Sequence, residues 1–132
     1  MIQVAVGIIL KKEISTSVLL CRRKKSVRYG LKWEFPGGKV ENGETTQECL
    51  LRELNEELSI TAAIDSLYHQ QQYVYPDSGT FDVLYYIVRQ FSGTIMNRAF
   101  ESYEWVPVEK LHEYDILEGN RDVVKKLMHE YH

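Results

Sequence analysis

Residues 38–60 combine a glycine turn with a predicted helix that carries three closely spaced glutamates, Glu53, Glu56 and Glu57. An α-helix turns by about 100° per residue, so offsets of three and four place all three carboxylates on one side. Like charges held this close oppose one another, and Arg52 supplies only one compensating positive charge. We therefore expect one or more divalent cations that prefer oxygen ligands, Mg²⁺ or Mn²⁺, to supply the rest.

The same segment indicates how the helix begins and which side it buries. Thr45 to Glu48 fits a capping box, and Leu51, Leu54 and Leu58 lie on a neighbouring face that can pack against a sheet. Taken alone, the string from Arg52 to Glu57 is more typical of a solvated helix face stabilised by ion pairs. The preceding loop changes that interpretation.

That loop, residues 33–44, begins as a short aromatic strand and passes into Pro36-Gly37-Gly38, where the backbone can approach a ligand closely. Loop and helix together read G-x5-E-x7-R-E-L-x-E-E-x-S-I. This pattern resembles the Nudix box, which has glycine where this chain has Ser59. Because Ser59 lies past the glutamates, we expect the departure to affect the end of the helix and not the metal ligands.

Length and pattern predict one domain over residues 1–132, since 132 residues with 44% hydrophobic content can bury one core. The resemblance implies the Nudix fold of the α/β (α+β) class, a mixed β-sheet sandwiched between helices. The pattern predicts strands at 2–10, 17–23, 66–75, 81–91 and 103–108, a helical turn at 108–111 and a C-terminal helix at 121–131.

Composition and charge limit the kinds of molecule that this chain is expected to bind. A net charge of −3 favours a free nucleotide over a nucleic-acid polymer, despite a basic cluster at residues 22–28. The apolar run at residues 2–10 is too short to span a bilayer and lacks a basic start, so we expect no membrane association and a cytoplasmic location. We expect a monomer or a homodimer.

The resemblance assigns roles to the acidic residues. It implies that Glu56 and Glu57 bind metal together with the Gly37 carbonyl, and that Glu53 is either a ligand or the general base. Glu44 and Arg52 would support this arrangement. A later loop often adds a base or ligand in this family, and Glu101 is the candidate here, the alternative being an ordinary solvated carboxylate.

Within the family the likeness is greatest to MutT-type nucleoside triphosphate pyrophosphohydrolases, which remove oxidised guanine nucleotides from the nucleotide pool. The matching segments are residues 5–9, 22–23 and 34–39, with Asn120 before the last helix. By this resemblance Arg23 contacts a substrate phosphate with help from Lys39, while Phe35 and Asn120 line the base pocket. Asn120 is equally suited to be the N-cap of the last helix.

Three alternatives to 8-oxo-dGTP hydrolysis remain open at this point. Related small Nudix enzymes that act on CTP or dCTP carry the same segment at residues 33–39. Some ADP-ribose hydrolases have a proline sixteen residues beyond the box, where Pro76 lies, but MutT-like proteins also have one there, so this residue does not distinguish the two. The third alternative is a non-catalytic Nudix module that senses a nucleotide, although the intact glutamates favour an enzyme.

Overall fold

A mixed sheet of seven strands lies at the centre of the computed structural model, which describes residues 1–131. The strands are β1 (Ile2–Lys12), β2 (Thr16–Arg22), β3 (Trp33–Glu34), β4 (Gly37–Lys39), β5 (Thr61–Tyr75), β6 (Gly79–Ser92) and β7 (Ser102–Pro107). The helices are α1 (Thr46–Leu58) and α2 (Arg121–Glu130), with 3₁₀ helices at Val108–Glu113 and Glu118–Asn120.

Strand β1 organises the sheet, whose main order is β3-β2-β1-β6-β5. It pairs in parallel with β6 and antiparallel with two further strands. Its first half, Val4–Val6, pairs with β4, and its last residues, Leu10–Lys12, pair with β2. The glycine segment, Gly37–Lys39 of β4, therefore lies beside the first half of β1, away from the residues at which β1 pairs with β2.

The two faces of the sheet bury separate clusters of apolar side chains. On β1, Val6 and Ile8 face the side covered by α2 and the first 3₁₀ helix, whereas Ala5 and Ile9 face α1. This alternation follows from the two-residue period of a strand. The result is the expected α/β/α sandwich.

Helix α1 is confirmed, with one correction to the face it buries. Cys49, Leu50, Leu54 and Leu58 are buried, but Leu51 is 39% exposed. Leu50 and Leu54 are four residues apart and share a face, while Leu51 is rotated a further ~100° away from the sheet.

The hairpin of β1 and β2, strand β7 and helix α2 agree with the predicted elements to within about two residues. Strand β5 begins at Thr61, five residues earlier than predicted. Irregularities of register between Ala63 and His69 interrupt its pairing with β6, and they disturb the alternating pattern from which a strand is recognised. Within residues 1–131, neither α-helix is long and apolar enough to cross a membrane.

Candidate active site

A cavity of about 430 Å³ lies between β1, β6, the glycine segment and residues 117–120. Its lining includes six of the residues predicted from sequence, which are Arg23, Phe35, Gly37, Lys39, Glu57 and Asn120. A larger open cavity of about 1060 Å³, lined by residues such as Lys11 and Trp105, contains none of them. The smaller cavity is therefore the candidate active site, because it contains six of the predicted site residues.

Helix α1 is fixed at both ends. The Thr45 side chain accepts a hydrogen bond from the Glu48 backbone N–H at 3.1 Å, and the Glu48 carboxylate accepts one from the Thr45 N–H at 2.8 Å. This capping box confirms the predicted start. The helix ends at Ser59, which adopts a left-handed conformation with φ of 60° and donates its N–H to Asn55 O.

The two glycines of β4 allow the backbone to approach its neighbours. A side chain at Gly37 would overlap the Ala5 carbonyl oxygen on β1, and one at Gly38 would overlap the Glu53 carboxylate. Gly37 must be glycine because its overlap would be with backbone atoms of β1, whereas a side chain at Gly38 would displace the Glu53 carboxylate.

Glu57 extends from α1 into the cavity. Its carboxylate is largely buried, and Oε1 has no hydrogen-bond partner among residues 1–131. Burial, followed by the nearby charges of Glu53 and Glu34, raises the pKa of Glu57 to about 9. A buried carboxylate with an oxygen that lacks a partner is unfavourable unless a cation compensates it, so Glu57 fits a divalent metal ion.

The other acidic residues of α1 are held by Arg52. Its Nη1 donates to Glu53 at 2.9 Å and to Glu56 at 3.3 Å, so one guanidinium contacts both carboxylates. Its Nε and Nη2 donate to the two oxygens of Glu44 at 3.0 and 2.6 Å. These hydrogen bonds, followed by one from the Glu41 backbone, lower the pKa of Glu44 to about 2.

The three helix glutamates consequently point in different directions. Glu57 faces the cavity, Glu53 is directed towards Arg52 and Gly38, and the Glu56 side chain is 59% exposed. Among residues 1–131, no group of three His, Cys, Asp or Glu side chains forms a ready-made metal site. Glu57, which lines the cavity together with Gly37, is the best-placed candidate ligand, and the metal roles of all three glutamates stay predictions.

Arg23 lies in the cavity as part of an ion pair. Its Nη1 donates to both oxygens of Glu34 at 3.1 Å, and its Nε donates to the Arg28 carbonyl at 2.8 Å. Burial raises the pKa of Glu34, and Arg23 opposes that effect. Glu34 therefore offsets the positive charge of Arg23, the residue predicted to contact a substrate phosphate. Lys39 remains exposed at the edge of the cavity.

Asn120 is buried next to Phe35, which precedes the glycine segment. Its Oδ1 accepts a hydrogen bond from the Phe35 backbone N–H at 3.1 Å, and its Nδ2 donates to the Tyr85 hydroxyl at 3.0 Å. It occupies the N-cap position of α2, but its side chain makes no capping hydrogen bond. The capping alternative is therefore wrong for the side chain, because the amide is directed towards the sheet and the cavity.

The aromatic wall of the cavity was not predicted from sequence. Tyr29, Tyr73, Tyr75 and Phe81 all line it, and the Tyr75 ring centroid lies 4.7 to 5.7 Å from the other three. Alternation of Tyr73 and Tyr75 on one face of β5 is a signal that could have revealed part of this wall. No local pattern indicates Tyr29, which comes from the basic loop, residues 24–32.

Glu101 lies outside the lining of this cavity. It is exposed, and its backbone N–H donates to the Arg22 carbonyl at 2.8 Å, next to Arg23 in the chain. Its role as a later-loop ligand or base stays a prediction.

Comparison with known proteins agrees with this fold. The family model for the NUDIX domain matches residues 1–127. The 8-oxo-dGTP diphosphatase of Escherichia coli (strain K12) is 32% identical over 126 residues, which cover 96% of this chain and 95% of that protein. The CTP pyrophosphohydrolase of the same bacterium is 33% identical over 132 residues, covering 97% of this chain and 92% of the relative.

A solved MutT structure, from work on the Aliivibrio salmonicida and Vibrio cholerae proteins, has a TM-score of 0.80 and 33% identity, and the match covers 98% of each chain. The chain therefore belongs to the Nudix family. Within that family it is a MutT-like hydrolase that acts on phosphoric anhydride bonds.

Proposed function

We propose that this chain uses a divalent metal ion to hydrolyse a nucleoside triphosphate to the nucleoside monophosphate and pyrophosphate, with 8-oxo-dGTP as its main substrate. One observation carries the proposal. A single cavity has the largely buried carboxylate of Glu57, one oxygen of which has no hydrogen-bond partner among residues 1–131, and an amide and several aromatic rings elsewhere in its lining. A metal-bound phosphate chain and a flat base require these two kinds of surroundings.

Glu57 and the Gly37 carbonyl would hold the metal, with Glu53, Glu56 and Glu101 as further candidate ligands. Bound Mg²⁺ or Mn²⁺ would neutralise phosphate oxygens and increase the reactivity of the attacking water. Arg52 keeps Glu53 in place, where it can serve as ligand or as general base. Arg23, shared with Glu34, and the exposed Lys39 supply positive charge for the phosphates.

The base end of the cavity suits a purine edge. A side-chain amide has two N–H donors and an oxygen with two acceptor positions. Phe35 N–H and the Tyr85 hydroxyl each use one of these in Asn120. One donor and one acceptor of Asn120 therefore remain for the base, and the aromatic side chains supply stacking surfaces.

CTP is the second candidate substrate. It is favoured by the similarity to a CTP pyrophosphohydrolase over nearly the whole chain. A comparison of kcat/KM for 8-oxo-dGTP, dGTP and CTP with the same preparation distinguishes the candidates. Roles in nucleotide-pool sanitation and a cytoplasmic location stay predictions.

The substitution Glu57→Gln tests the metal proposal. It keeps the shape of the side chain but cannot form the charged carboxylate that a metal ion requires, so we expect turnover to fall by ~10²-fold or more. Because Glu57 lacks a partner for one oxygen, the fold should not be weakened. Mg²⁺ should raise the melting temperature of the wild type but have much less effect on the variant.

The exposed Glu109 provides the matched control, and Glu109→Gln should behave like the wild type. Near wild-type turnover in Glu57→Gln, or full activity in excess chelator, would contradict the proposal. Products are assayed in the same experiment. Release of single phosphates with a nucleoside diphosphate would exclude the proposed cleavage between the α- and β-phosphates.

A further inference from the structure

Tyr75 packs against three aromatic rings in the wall of the cavity, at the end of β5. Its ring centroid lies 5.2 Å from that of Tyr29, 4.7 Å from that of Tyr73 and 5.7 Å from that of Phe81. Two of these contacts are edge-to-face, an arrangement favoured between aromatic rings. The position of the hydroxyl is therefore determined by packing on several sides.

The hydrogen bond made by this hydroxyl leaves its proton available. Its oxygen accepts from the Gly119 backbone N–H at 2.9 Å. An amide N–H can only donate, so the hydroxyl acts as acceptor there and keeps its own proton for another partner. Among the hydrogen bonds of residues 1–131, no protein acceptor takes that proton.

Gly119 is matched to this contact, since a side chain at that position would overlap the Tyr75 hydroxyl. Burial raises the pKa of Tyr75, against a smaller opposing effect of the Gly119 backbone. The hydroxyl consequently remains protonated, and able to donate, at neutral and mildly alkaline pH.

Tyr85, on the neighbouring strand β6, differs from Tyr75 in the hydrogen bonds that its hydroxyl makes. Its hydroxyl donates to the Gly119 carbonyl at 3.0 Å and accepts from Asn120 Nδ2 at 3.0 Å, so its proton is already used. Both tyrosines hold the segment that carries Gly119 and Asn120. Of the two, Tyr75 has the proton to offer a ligand.

We propose that the Tyr75 hydroxyl donates a hydrogen bond to a carbonyl oxygen of the bound nucleobase, next to the Asn120 amide. Gly119 and Asn120 are consecutive, so the two side chains can contact neighbouring atoms of one base. Tyr75 is then a specificity-determining residue that selects bases with a carbonyl group, such as guanine, 8-oxoguanine or cytosine. This inference rests on the proposed function, in which the cavity binds a nucleotide.

The substitution Tyr75→Phe tests it, because only the hydroxyl is lost. The two substrates are 8-oxo-dGTP and the deoxynucleoside triphosphate of 2-aminopurine, a purine base without a carbonyl oxygen. We expect kcat/KM for 8-oxo-dGTP to fall by about 10-fold, mainly through KM, since an unpaired substrate acceptor is unfavourable. The value for the 2-aminopurine nucleotide should change by no more than about 2-fold.

Tyr68→Phe is the control, since Tyr68 also lies on β5 and donates its hydroxyl proton to Glu130 at 2.8 Å, outside the cavity. It should leave the ratio of the two kcat/KM values unchanged. If Tyr75→Phe lowers both values equally, or neither, Tyr75 only anchors Gly119 and the inference is wrong. If the wild type hydrolyses neither nucleotide nor CTP, the proposed function fails, and the inference fails with it.

Discussion

Ser59 ends α1 in a conformation that usually favours glycine. Its φ of 60° and ψ of 32° lie in the left-handed region, and its Oγ is buried without a hydrogen-bond partner among residues 1–131. Left-handed backbone costs a residue with a Cβ atom roughly 1–2 kcal/mol. The structure therefore tolerates serine at this position while losing some stability.

We predict that Ser59→Gly raises the free energy of unfolding by about 1 kcal/mol and leaves turnover within a few-fold of the wild type. The glutamates precede the substituted residue and are fixed by Arg52 and by packing, so they should not move. Urea denaturation and steady-state kinetics measure the two effects. A large gain in turnover would show that serine impairs the natural site.

Gly43→Ala tests the same strain in the opposite direction, because it adds a side chain to a residue in the left-handed region. Gly43 has a φ of 85°, and an added Cβ would meet no atom within 4 Å, so only the backbone is strained. We expect a loss of about 1 kcal/mol of stability. If neither variant changes the free energy of unfolding, left-handed strain is not what distinguishes Ser59.

Asn120 has a structural and a proposed recognition role, which one substitution can separate. Asn120→Ala leaves the buried Phe35 N–H without an acceptor, so we predict a loss of about 1–3 kcal/mol of stability. If the amide also pairs with the oxidised base, kcat/KM for 8-oxo-dGTP should fall by roughly 10- to 100-fold and that for dGTP much less.

Asn97→Ala serves as the control. The Asn97 side chain makes three hydrogen bonds within residues 97–100, outside the cavity. We expect it to lower stability without changing the preference between the two nucleotides. An unchanged preference in Asn120→Ala as well would limit Asn120 to holding the backbone at Phe35.

At the scale of the element, α1 is supported by an ion-pair network joined to the preceding loop. Arg52 binds Glu44 through two nitrogens while also contacting Glu53 and Glu56. Glu44 in turn accepts a hydrogen bond from the Glu41 backbone at 2.8 Å. The loop and the acidic side of the helix are therefore held together by one guanidinium.

This network predicts a pH dependence of stability. The folded-state pKa of Glu44 is about 2, below its ordinary value of 4.5, because Arg52 and the Glu41 backbone favour the charged form. A lowered pKa stabilises the fold above pH ~4.5, and this contribution is lost as the pH falls towards 2. We expect Glu44→Gln to be less stable than the wild type at pH 7, with a smaller difference at pH 3.

Unfolding by urea at both pH values measures the difference, and Glu109→Gln again provides an exposed control. An equal difference between wild type and Glu44→Gln at pH 7 and pH 3 would contradict the role of the charge.

At the scale of the whole molecule, two distant segments meet beside the cavity. Arg28 and Tyr29 of the basic loop both bind Asp77 in the turn between β5 and β6, and the Tyr29 hydroxyl donates at 2.7 Å. Tyr29 also packs against Tyr75. The hydrogen bonds from Tyr29 and Arg28 lower the pKa of Asp77 to about 2, so this contact persists at neutral and mildly acidic pH.

We predict that Asp77→Asn loosens the basic loop, because the charge that attracts Arg28 is removed. Trypsin should then cleave after Lys24 and Lys25 several-fold faster. KM for the nucleotide should rise several-fold while kcat changes less. Asp65→Asn, which breaks a surface pair with Arg89 elsewhere, should change neither quantity. Unchanged cleavage in Asp77→Asn would show that packing alone holds the loop.

The features that depend on residues close together in the chain could be predicted from sequence. The capping box at Thr45, the glutamates of α1 and the hairpin of β1 and β2 follow from local spacing and turn chemistry, and the box motif identified the family. The sequence also identified Arg23, Phe35, Asn120 and Glu57 as candidates for one site. It did not determine what each of them contacts.

Those contacts depend on tertiary packing. Phe35 N–H and Asn120 are 85 residues apart, and Tyr75 and Gly119 are 44 apart. Their meeting depends on strand register and on how α2 packs against the sheet, which short-range periodicity does not encode. For the same reason the pairing of Arg23 with Glu34 and the unpartnered oxygen of Glu57 became visible only when the burial of each charge was known.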